Sequence, residues 1–392
     1  MNLKECVIID GMRTANGRAH AEKGWFRNVE PVDMLVGVYD ALFARNPKVK
    51  PEMVEATYIG TAKQVNSTYD IGRLAWLAGG YPETVAANTI CQQCPSGMSA
   101  IEHAARAIMC GEGDIYIAGG CENMLIPMKE GVAYAKSLTD RYDRVAISMG
   151  ATAEKVAEVY NVDPQEMRDL AIASNQRAAA ARDAGKFKNE IAPIMGHDVD
   201  GTPMLVDKDQ WIRDDISNEG MLKMKSPFKE NGVITAAMSS PLTMGACAVI
   251  LMSREKADEL GLDYFLKYAG GAMAGNDPTM MGTGPIPAVQ KLLARAGITA
   301  KDIGAVEINE AFASQSLVCV KELGLETGLP FKKTNMWGGA LALGHPLGES
   351  GARIVITLMN VMKSELKDAK YGLATLCGGF GNANATLWER IK

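Results

Sequence analysis

The sequence has no apolar run long enough to cross a membrane and no cluster of basic residues. A membrane-spanning helix needs about 18 consecutive apolar residues, and the longest apolar stretches here have strand length, as in Cys247–Met252. With 41 basic and 46 acidic residues the net charge is −5, which provides no electrostatic footprint for nucleic acid or for an anionic membrane. We therefore expect neither nucleic-acid binding nor membrane insertion.

The sequence also lacks the patterns of a signal peptide, a disulfide framework and a metal site. Lys4 and Glu5 precede an apolar stretch that is too short for a signal-peptide core. Most of the eight cysteines lie inside apolar strand or helix patterns, which is typical of core residues in a cytoplasmic protein. Cys91 and Cys94 form a Cys-x-x-Cys pair, but no second such pair completes a zinc site. The pair remains open to a redox interpretation, because Cys91 could form a disulfide with Cys94.

The sequence does contain a repeated alternation of short apolar strands and amphipathic helices. With 392 residues and 47% hydrophobic composition, the chain is expected to form two or three domains around large cores. The alternation from Cys6 to Gly120 predicts a mostly parallel sheet with helices on its faces.

A helical and polar section interrupts this alternation, and the strand–helix pattern then resumes. Because the segments after Cys94 and after Gly348 both lead through a helix into a Gly-rich strand end, the core is interpreted as a weak internal duplication. The resulting α/β organisation is an N-terminal half (1–120 and 246–266), an inserted section (121–245) and a C-terminal half (267–392).

Glycines surround four reactive side chains, and such glycines permit tight turns or close approach to a ligand. Pro95 fits the first position of a helix, so Cys94 would be the N-cap, where free N–H groups favour a thiolate. A nucleophile and an ordinary core cysteine are both consistent with this segment. His345 lies between Gly344 and Pro346 and is the best candidate base among four histidines.

The other two reactive segments end predicted strands. Cys377 precedes Gly378 and Gly379, so it could act as an acid/base thiol beside backbone N–H donors, although a core cysteine before a turn is the alternative. Asn309 could place its carboxamide in a pocket, or it could cap a helix.

Taken in order and at these spacings, the four segments closely resemble the thiolase family of acyl-CoA acyltransferases. The resemblance runs the length of the chain and leans toward the degradative, fatty-acid-oxidation branch. It also includes a set of flanking motifs: Arg13-Thr14, Phe26-Arg-Asn28, Met149-Gly150, Met281-Gly-Thr-Gly-Pro285 and Asn309-Glu-Ala-Phe312.

The resemblance implies a five-layered αβαβα fold of two similar halves, with an inserted helical loop domain that binds CoA. It implies a ping-pong reaction in which Cys94 is acylated, His345 activates it and Cys377 exchanges a proton with CoA or the leaving enolate. Asn309 would hold a water at the enolate oxygen, and the N–H groups of Cys94 and Gly379 would bind the thioester oxyanion.

The resemblance also implies which residues contact the substrate and which partners the chain has. No permanently bound cofactor is expected, and coenzyme A is the co-substrate. A homodimer or a dimer of dimers is expected. The residues implied in CoA and substrate binding are Ser240 near the pantetheine, Lys225 near the nucleotide, Met149, Met281 and Phe312.

Several neighbours of the catalytic residues depart from the family pattern. Cys91 stands where the family has Asn, Trp337 where a small polar residue is usual, and Phe380 interrupts the terminal Gly-rich loop. We take these three residues as acyl-pocket candidates. They predict a bulky, aromatic or dicarboxylic 3-oxoacyl group such as benzoylsuccinyl-CoA. The rival hypothesis is an acyl-CoA-binding subunit with little activity unless an accessory protein joins it.

Overall fold

The structure, a computed structural model, describes residues 3–63, 69–125 and 134–391. Its helices, numbered in chain order, are α1 Pro31–Arg45, α2 Ile71–Ala78, α3 Ser96–Cys110, α4 Lys136–Thr139, α5 Met149–Val159, α6 Pro164–Asp183, α7 Asn218–Leu222, α8 Arg254–Glu259, α9 Pro285–Ala296, α10 Ala313–Glu322, α11 Ala340–Leu343 and α12 Leu347–Ser364. Its strands are β1 Cys6–Arg13, β2 Gly17–Arg18, β3 Ala56–Gly60, β4 Ala86–Ile90, β5 Ile115–Asn123, β6 Ile194–His197, β7 Pro203–Val206, β8 Thr243–Ser253, β9 Leu266–Gly275, β10 Ile303–Ile308, β11 Tyr371–Gly378 and β12 Asn382–Arg390.

Ten of the strands form one continuous sheet, in the order β10-β11-β12-β9-β1-β8-β5-β3-β4 with β2 beside β8. The two halves of the sheet meet where β1 pairs with β9, at Val7 opposite Lys267 and Ile8 opposite Leu266. Strands β6 and β7 form a separate hairpin within the inserted section. In the described part of the chain, no helix is both long and apolar enough to cross a bilayer.

The expectation of a mostly parallel sheet is wrong. Only three of the pairings among the described strands are parallel, namely β3–β4, β3–β5 and β10–β11. The pairs β1–β8, β5–β8 and β11–β12 are antiparallel. In the last of these, the short turn Gly379–Gly381 joins the two strands, and such a turn reverses the chain, whereas a parallel pair requires a long crossover.

Buried side chains on alternate strand residues belong to different apolar clusters on the two faces of the sheet. Three such clusters, together with the two halves of the sheet, give five layers. Along β8, Met244, Ala248 and Ile250 face a cluster that includes α1 and α2, whereas Val249 and Leu251 face a cluster that includes α3 and α12. Successive strand residues point to opposite faces of a sheet. The third cluster, which includes α9 and α10, covers the outer face of β11 and β12. The two halves of the sheet thus form two separate layers between three layers of helices. The resulting order of helix, sheet, helix, sheet and helix confirms the expected αβαβα fold.

The inserted section begins and ends inside strands that are longer than the sequence pattern predicts. Strand β5 continues to Asn123 and β8 begins at Thr243, so both expected junctions, at 120/121 and at 245/246, fall within the sheet. The additional residues are small or polar, as in Glu122 and Gly245. The apolar periodicity used to delimit the strands does not extend to such residues.

Candidate active site

The central helices α3 and α12 approach each other closely near their N-termini, where glycines replace side chains. A Cβ atom on Gly97 would lie 2.6 Å from the carbonyl oxygen of Gly348, so backbone packs directly on backbone there. Cys94 precedes α3 and His345 precedes α12. The glycine contact therefore brings together two segments that are about 250 residues apart in the sequence.

Cys94 lies in a tight turn between β4 and α3. Gln93 adopts a left-handed conformation with φ of 60°, and α3 begins at Ser96, with Pro95 at the N-cap position, one residue later than the sequence predicts. Burial raises the pKa of the Cys94 thiol to about 12, because the charged form loses solvation, and the nearby backbone N–H of Gly379 opposes this rise only in part. The resting group is therefore a thiol, and the expected thiolate requires a base.

His345 is a buried imidazole whose tautomer is set by a hydroxyl. Burial, together with the charge of Arg353, lowers the pKa of His345 to about 3, so the ring is neutral. The Ser350 hydroxyl lies 2.6 Å from Nδ1 and donates its single hydrogen to the Pro346 carbonyl at 2.9 Å. Nδ1 must therefore donate to Ser350, and Nε2 keeps the lone pair of a base.

Asn309 follows β10 directly and lies beside the histidine. Its backbone N–H donates to the Thr375 carbonyl at 3.1 Å, which places it next to the strand that carries Cys377. The Nδ2 atom lies 3.4 Å from each ring nitrogen of His345. Its Oδ1 atom is buried without a hydrogen-bond partner among the described residues, so it can accept a hydrogen bond from a bound water or substrate.

Cys377 is the penultimate residue of β11, at the end of the strand that lies near the Cys94 turn. Burial raises the pKa of its thiol well above the ordinary value, and the neighbouring Cys94 raises it further. The following turn is close to the Cys94 segment, since a Cβ atom on Gly378 would lie 2.5 Å from Cδ of Pro95. Two protonated thiols, a neutral imidazole and a carboxamide are thus carried by neighbouring buried segments. Among the described residues, no cluster of three His, Cys, Asp or Glu side chains could hold a metal ion.

Comparisons with known proteins identify the family of the chain. The family model for the thiolase N-terminal domain matches residues 6–255, and the model for the thiolase C-terminal domain matches residues 263–390. The chain belongs to the thiolase family. The protein is accordingly an acyltransferase.

Relatives of similar length carry the same family name. A 3-ketoacyl-CoA thiolase of Vibrio vulnificus is 43% identical, with 99% of this chain and 100% of the relative covered. A 3-ketoacyl-CoA thiolase of Photobacterium profundum is 44% identical over the same shares. The crystal structure of the Bacillus anthracis acetyl-CoA acetyltransferase superposes with a TM-score of 0.90, is 33% identical, and is matched over 100% of both chains.

A polar network beside the candidate nucleophile of this thiolase was not predicted from the sequence. Asn384 on β12 donates to Glu102 at 2.7 Å and to the Ser99 hydroxyl at 3.2 Å, and Ser99 in turn donates to the Gln92 side chain. Gln92 lies in the segment that carries Cys94, so the network joins this segment to α3 and β12. The available signal was Glu102, an acidic residue on the apolar face of α3.

The thiolase places two of the expected CoA-contact residues beside Asn309. The backbone N–H of Ser240 donates to the carbonyl of Ala311 at 3.0 Å, and Phe312 packs edge-on against Phe228 with ring centroids 6.1 Å apart. The other three expected contact residues differ in exposure, although Met281 belongs to the same apolar cluster as Phe312. Met149 begins α5 and is exposed, Met281 is buried in the outer cluster, and Lys225 lies in an exposed loop.

The three acyl-pocket candidates occupy different environments. Trp337 is buried and packs edge-on against Phe187 with centroids 6.0 Å apart, which favours a core role over a role in the acyl pocket. Cys91 is exposed, and its sulfur lies 3.9 Å from the Ala62 carbonyl oxygen. Phe380 follows Gly379 in the turn between β11 and β12 and adopts a left-handed conformation with φ of 65°. Only Phe380 directly adjoins a predicted oxyanion donor.

Proposed function

We propose that this thiolase catalyses the CoA-dependent cleavage of a 3-oxoacyl-CoA, or the reverse Claisen condensation, through an acyl-enzyme on Cys94. The observation that carries the proposal is the convergence of Cys94, His345, Asn309 and Cys377 in one buried site. The names of the relatives support a 3-ketoacyl-CoA substrate.

The first step is attack of the Cys94 sulfur on the 3-keto carbon. Nε2 of His345 takes the thiol proton as the carbon–sulfur bond forms, because a thiol with so high a pKa is not ionised in advance. The backbone N–H groups of Cys94 and Gly379 are the proposed donors to the resulting oxyanion. The N–H of Gly379 is near enough to the Cys94 sulfur to lower its pKa, which supports a donor position beside the attacked carbon.

The second step breaks the bond between C2 and C3 of the substrate. The electron pair passes to the leaving acetyl-CoA enolate, and the acyl group remains on Cys94 as a thioester. Cys377 protonates the enolate carbon and becomes a thiolate. The unpartnered Oδ1 of Asn309 is the proposed acceptor for a water that, together with protonated His345, stabilises the enolate oxygen.

The final step transfers the acyl group to CoA. The Cys377 thiolate takes the proton of the incoming CoA thiol, and the CoA sulfur attacks the thioester. Cys94 leaves as a thiolate and recovers its proton from His345. All groups return to their resting protonation states, so no permanently bound cofactor enters the cycle.

We place CoA against the inserted section and the Ser240 segment. Ser240 would contact the pantetheine, with Met149, Met281 and Phe312 along its path. Lys225 would approach the nucleotide phosphates. In the same loop Lys223 pairs with Glu219 and Lys229 pairs with Glu158, so the exposed Lys225 is the proposed source of positive charge for a phosphate.

The acyl group is proposed to lie against Phe380. Tyr134, from the inserted section, packs edge-on against this ring with centroids 5.4 Å apart, so the two aromatic side chains form a wall beside the oxyanion loop. Such a wall favours a bulky, flat or aromatic acyl group over a flexible chain. The comparisons support a 3-ketoacyl-CoA substrate but give no support to a bulky, aromatic or dicarboxylic acyl group or to the narrower candidate benzoylsuccinyl-CoA.

A homodimer is proposed from the exposed edge of the sheet. No other strand in the described ranges pairs with the outer side of β4, and Leu74 and Leu77 on the adjacent helix α2 are exposed. An unpaired edge beside apolar side chains favours association with a second copy. A dimer of dimers, an accessory subunit and a cytoplasmic location stay predictions.

The test is an assay of the pure protein with a panel of 3-oxoacyl-CoA substrates and CoA. Thiolysis is followed by loss of the 3-oxoacyl-CoA, and the acyl-enzyme is trapped without CoA and mapped by mass spectrometry. We expect an adduct on Cys94 and none in the Cys94→Ser variant. Absence of an adduct with every substrate would instead support the binding-subunit hypothesis.

A further inference from the structure

A buried carboxylate connects the segments that carry the nucleophile and the base. Glu122 lies near the end of β5 and is almost completely buried. Its Oε2 atom accepts hydrogen bonds from the backbone N–H of Ala62 at 2.8 Å and of Gly348 at 3.1 Å. Its Oε1 atom accepts one from the Thr61 hydroxyl at 3.3 Å. One side chain thus joins the ends of β3 and β5 to the start of α12.

The hydrogen bond from Gly348 to Glu122 restrains the segment that carries His345, the proposed base. Gly348 is in the first turn of α12, whose N–H groups have no partner within the helix, and a carboxylate there is favoured by the helix dipole. A Cβ atom on Gly348 would lie 2.5 Å from Cα of Thr61, so the turn is also confined by packing. Because His345 is only three residues earlier, the position of this turn determines where its imidazole lies.

The hydrogen bonds from residues 61 and 62 to Glu122 restrain the segment beside Cys94, the proposed nucleophile. The backbone N–H of Thr61 donates to the carbonyl of Ile90 at 3.0 Å, and the carbonyl of Ala62 lies 3.9 Å from the Cys91 sulfur. The turn that carries Cys94 begins immediately after these two contacts. The same short segment is therefore anchored to the Cys94 turn on one side and, through Glu122, to the His345 turn on the other.

We propose that Glu122 is a positioning residue that sets the separation between the Cys94 thiol and the His345 imidazole. The inference rests on the proposed use of these two groups in acyl transfer. Proton transfer requires the donor and acceptor to be within hydrogen-bond reach, and a displacement of about 1 Å can cost about 100-fold in rate. A single carboxylate that bonds both supporting segments is a compact means of preventing that displacement.

The experiment compares Glu122→Gln and Glu122→Asp with wild type. Asp keeps the negative charge but is too short to reach both backbone N–H groups, whereas Gln keeps the length and removes the charge. We expect each variant to lose about 10- to 100-fold in kcat with little change in KM. We also expect slower alkylation of Cys94 by iodoacetamide near neutral pH, because a displaced His345 no longer assists ionisation of the thiol.

The matched control is Glu154→Gln in the inserted section. Glu154 is also buried and accepts hydrogen bonds from the N–H groups of Val233 and Ile234, both at 2.9 Å, and from the Ser226 hydroxyl at 2.8 Å. This change removes a carboxylate with the same kind and number of bonds. The pH profile of Cys94 alkylation should be that of wild type in this control.

Two outcomes would overturn the proposal. If Glu122 acted only through its charge, which raises the pKa of Cys94, Glu122→Asp would keep wild-type kcat. Under the same condition, Cys94 in Glu122→Gln would be alkylated faster than in wild type.

If Glu122→Gln does not fold, the kcat of Thr61→Val tests the proposal, because this substitution removes one hydrogen bond to Glu122. A few-fold loss of kcat supports positioning, and an unchanged kcat contradicts it. Failure of the proposed function would appear separately, as inactivity of wild type.

Discussion

Glu349 and Arg353 lie one turn apart on α12, and both side chains are fully buried without a hydrogen bond between them. Neither the two carboxylate oxygens nor the three guanidinium nitrogens have a partner among the described residues. Burial raises the pKa of Glu349 from its ordinary value of 4.5 to about 7, and the charge of Arg353 limits this rise. Glu349 thus contributes to the pH dependence of stability without belonging to the proposed reaction.

The Glu349→Gln variant should gain stability over wild type as the pH rises. The folded state binds the Glu349 proton more tightly than the unfolded chain does, so its stabilising contribution is present below about pH 4.5 and is lost as the pH rises through about 7. A neutral amide avoids this loss. We expect the difference in unfolding free energy to shift by about 1 to 3 kcal/mol in favour of the variant between pH 5 and pH 8.5. The prediction is wrong if the difference in unfolding free energy between the variant and wild type is the same at both pH values.

Ser350 should control the tautomer of His345. Ser350→Ala removes the acceptor for Nδ1–H, so the ring can place its hydrogen on Nε2 and lose the lone pair that is proposed to act as the base for Cys94. We expect a fall of about 10- to 100-fold in kcat with CoA binding retained. Ser350→Thr keeps the hydroxyl and is the matched control in steady-state assays. Equal activity of all three proteins would show that the hydroxyl does not select the tautomer.

Variants of Cys94 and Cys377 should lose activity at different steps of the proposed reaction. Cys94→Ser should abolish acylation, because a hydroxyl ionises far less readily than a thiol. Cys377→Ala should still accept an acyl group from an activated thioester, but lose carbon–carbon cleavage by about 100-fold or more. Mass spectrometry of the acyl-enzyme and a thiolysis assay measure the two steps. Equal loss of acylation in both folded variants would remove the separate role of Cys377.

Substitutions of Phe380 separate backbone strain from the acyl pocket. A bulky residue at φ of 65° is strained, and glycine relieves this strain whereas alanine does not. Phe380→Gly should therefore be more stable than Phe380→Ala by about 1 kcal/mol. Both remove the ring that faces Tyr134, so both should change the ratio of kcat/KM for aromatic and linear acyl groups in the same direction. An unchanged ratio would exclude Phe380 from the acyl pocket.

Lys225 should contribute to CoA binding through charge. Lys225→Ala should raise KM for CoA more than it lowers kcat, since a distant phosphate contact stabilises ground and transition states almost equally. Lys223→Ala is the control, because Lys223 is a nearby lysine that pairs with Glu219 at 2.8 Å. The assay varies CoA at saturating 3-oxoacyl-CoA. A KM for CoA that stays at the wild-type value in Lys225→Ala would disprove the contact.

Local patterns predicted most of the elements that support the site. The helix expected to begin at Pro95 is α3, which begins one residue later, and the strand expected before Asn309 is β10. The glycines around Cys94, His345 and Cys377 identified turns that the structure confirms. These features depend on neighbouring residues, so periodicity and turn chemistry are sufficient to predict them.

The amino-acid sequence by itself determined the family and the alternation of strands and helices, and it predicted the four candidate reactive residues, because each depends on residue type and spacing. Only the tertiary structure decided the strand directions, the core environment of Trp337 and the contacts of Glu122, Ser350 and Glu349. Each of these depends on which distant segments meet across the central helices. A hydrogen bond between residues 226 positions apart, such as that from Gly348 to Glu122, has no counterpart in local periodicity. It forms because glycines let α3, α12 and the strand ends pack backbone against backbone.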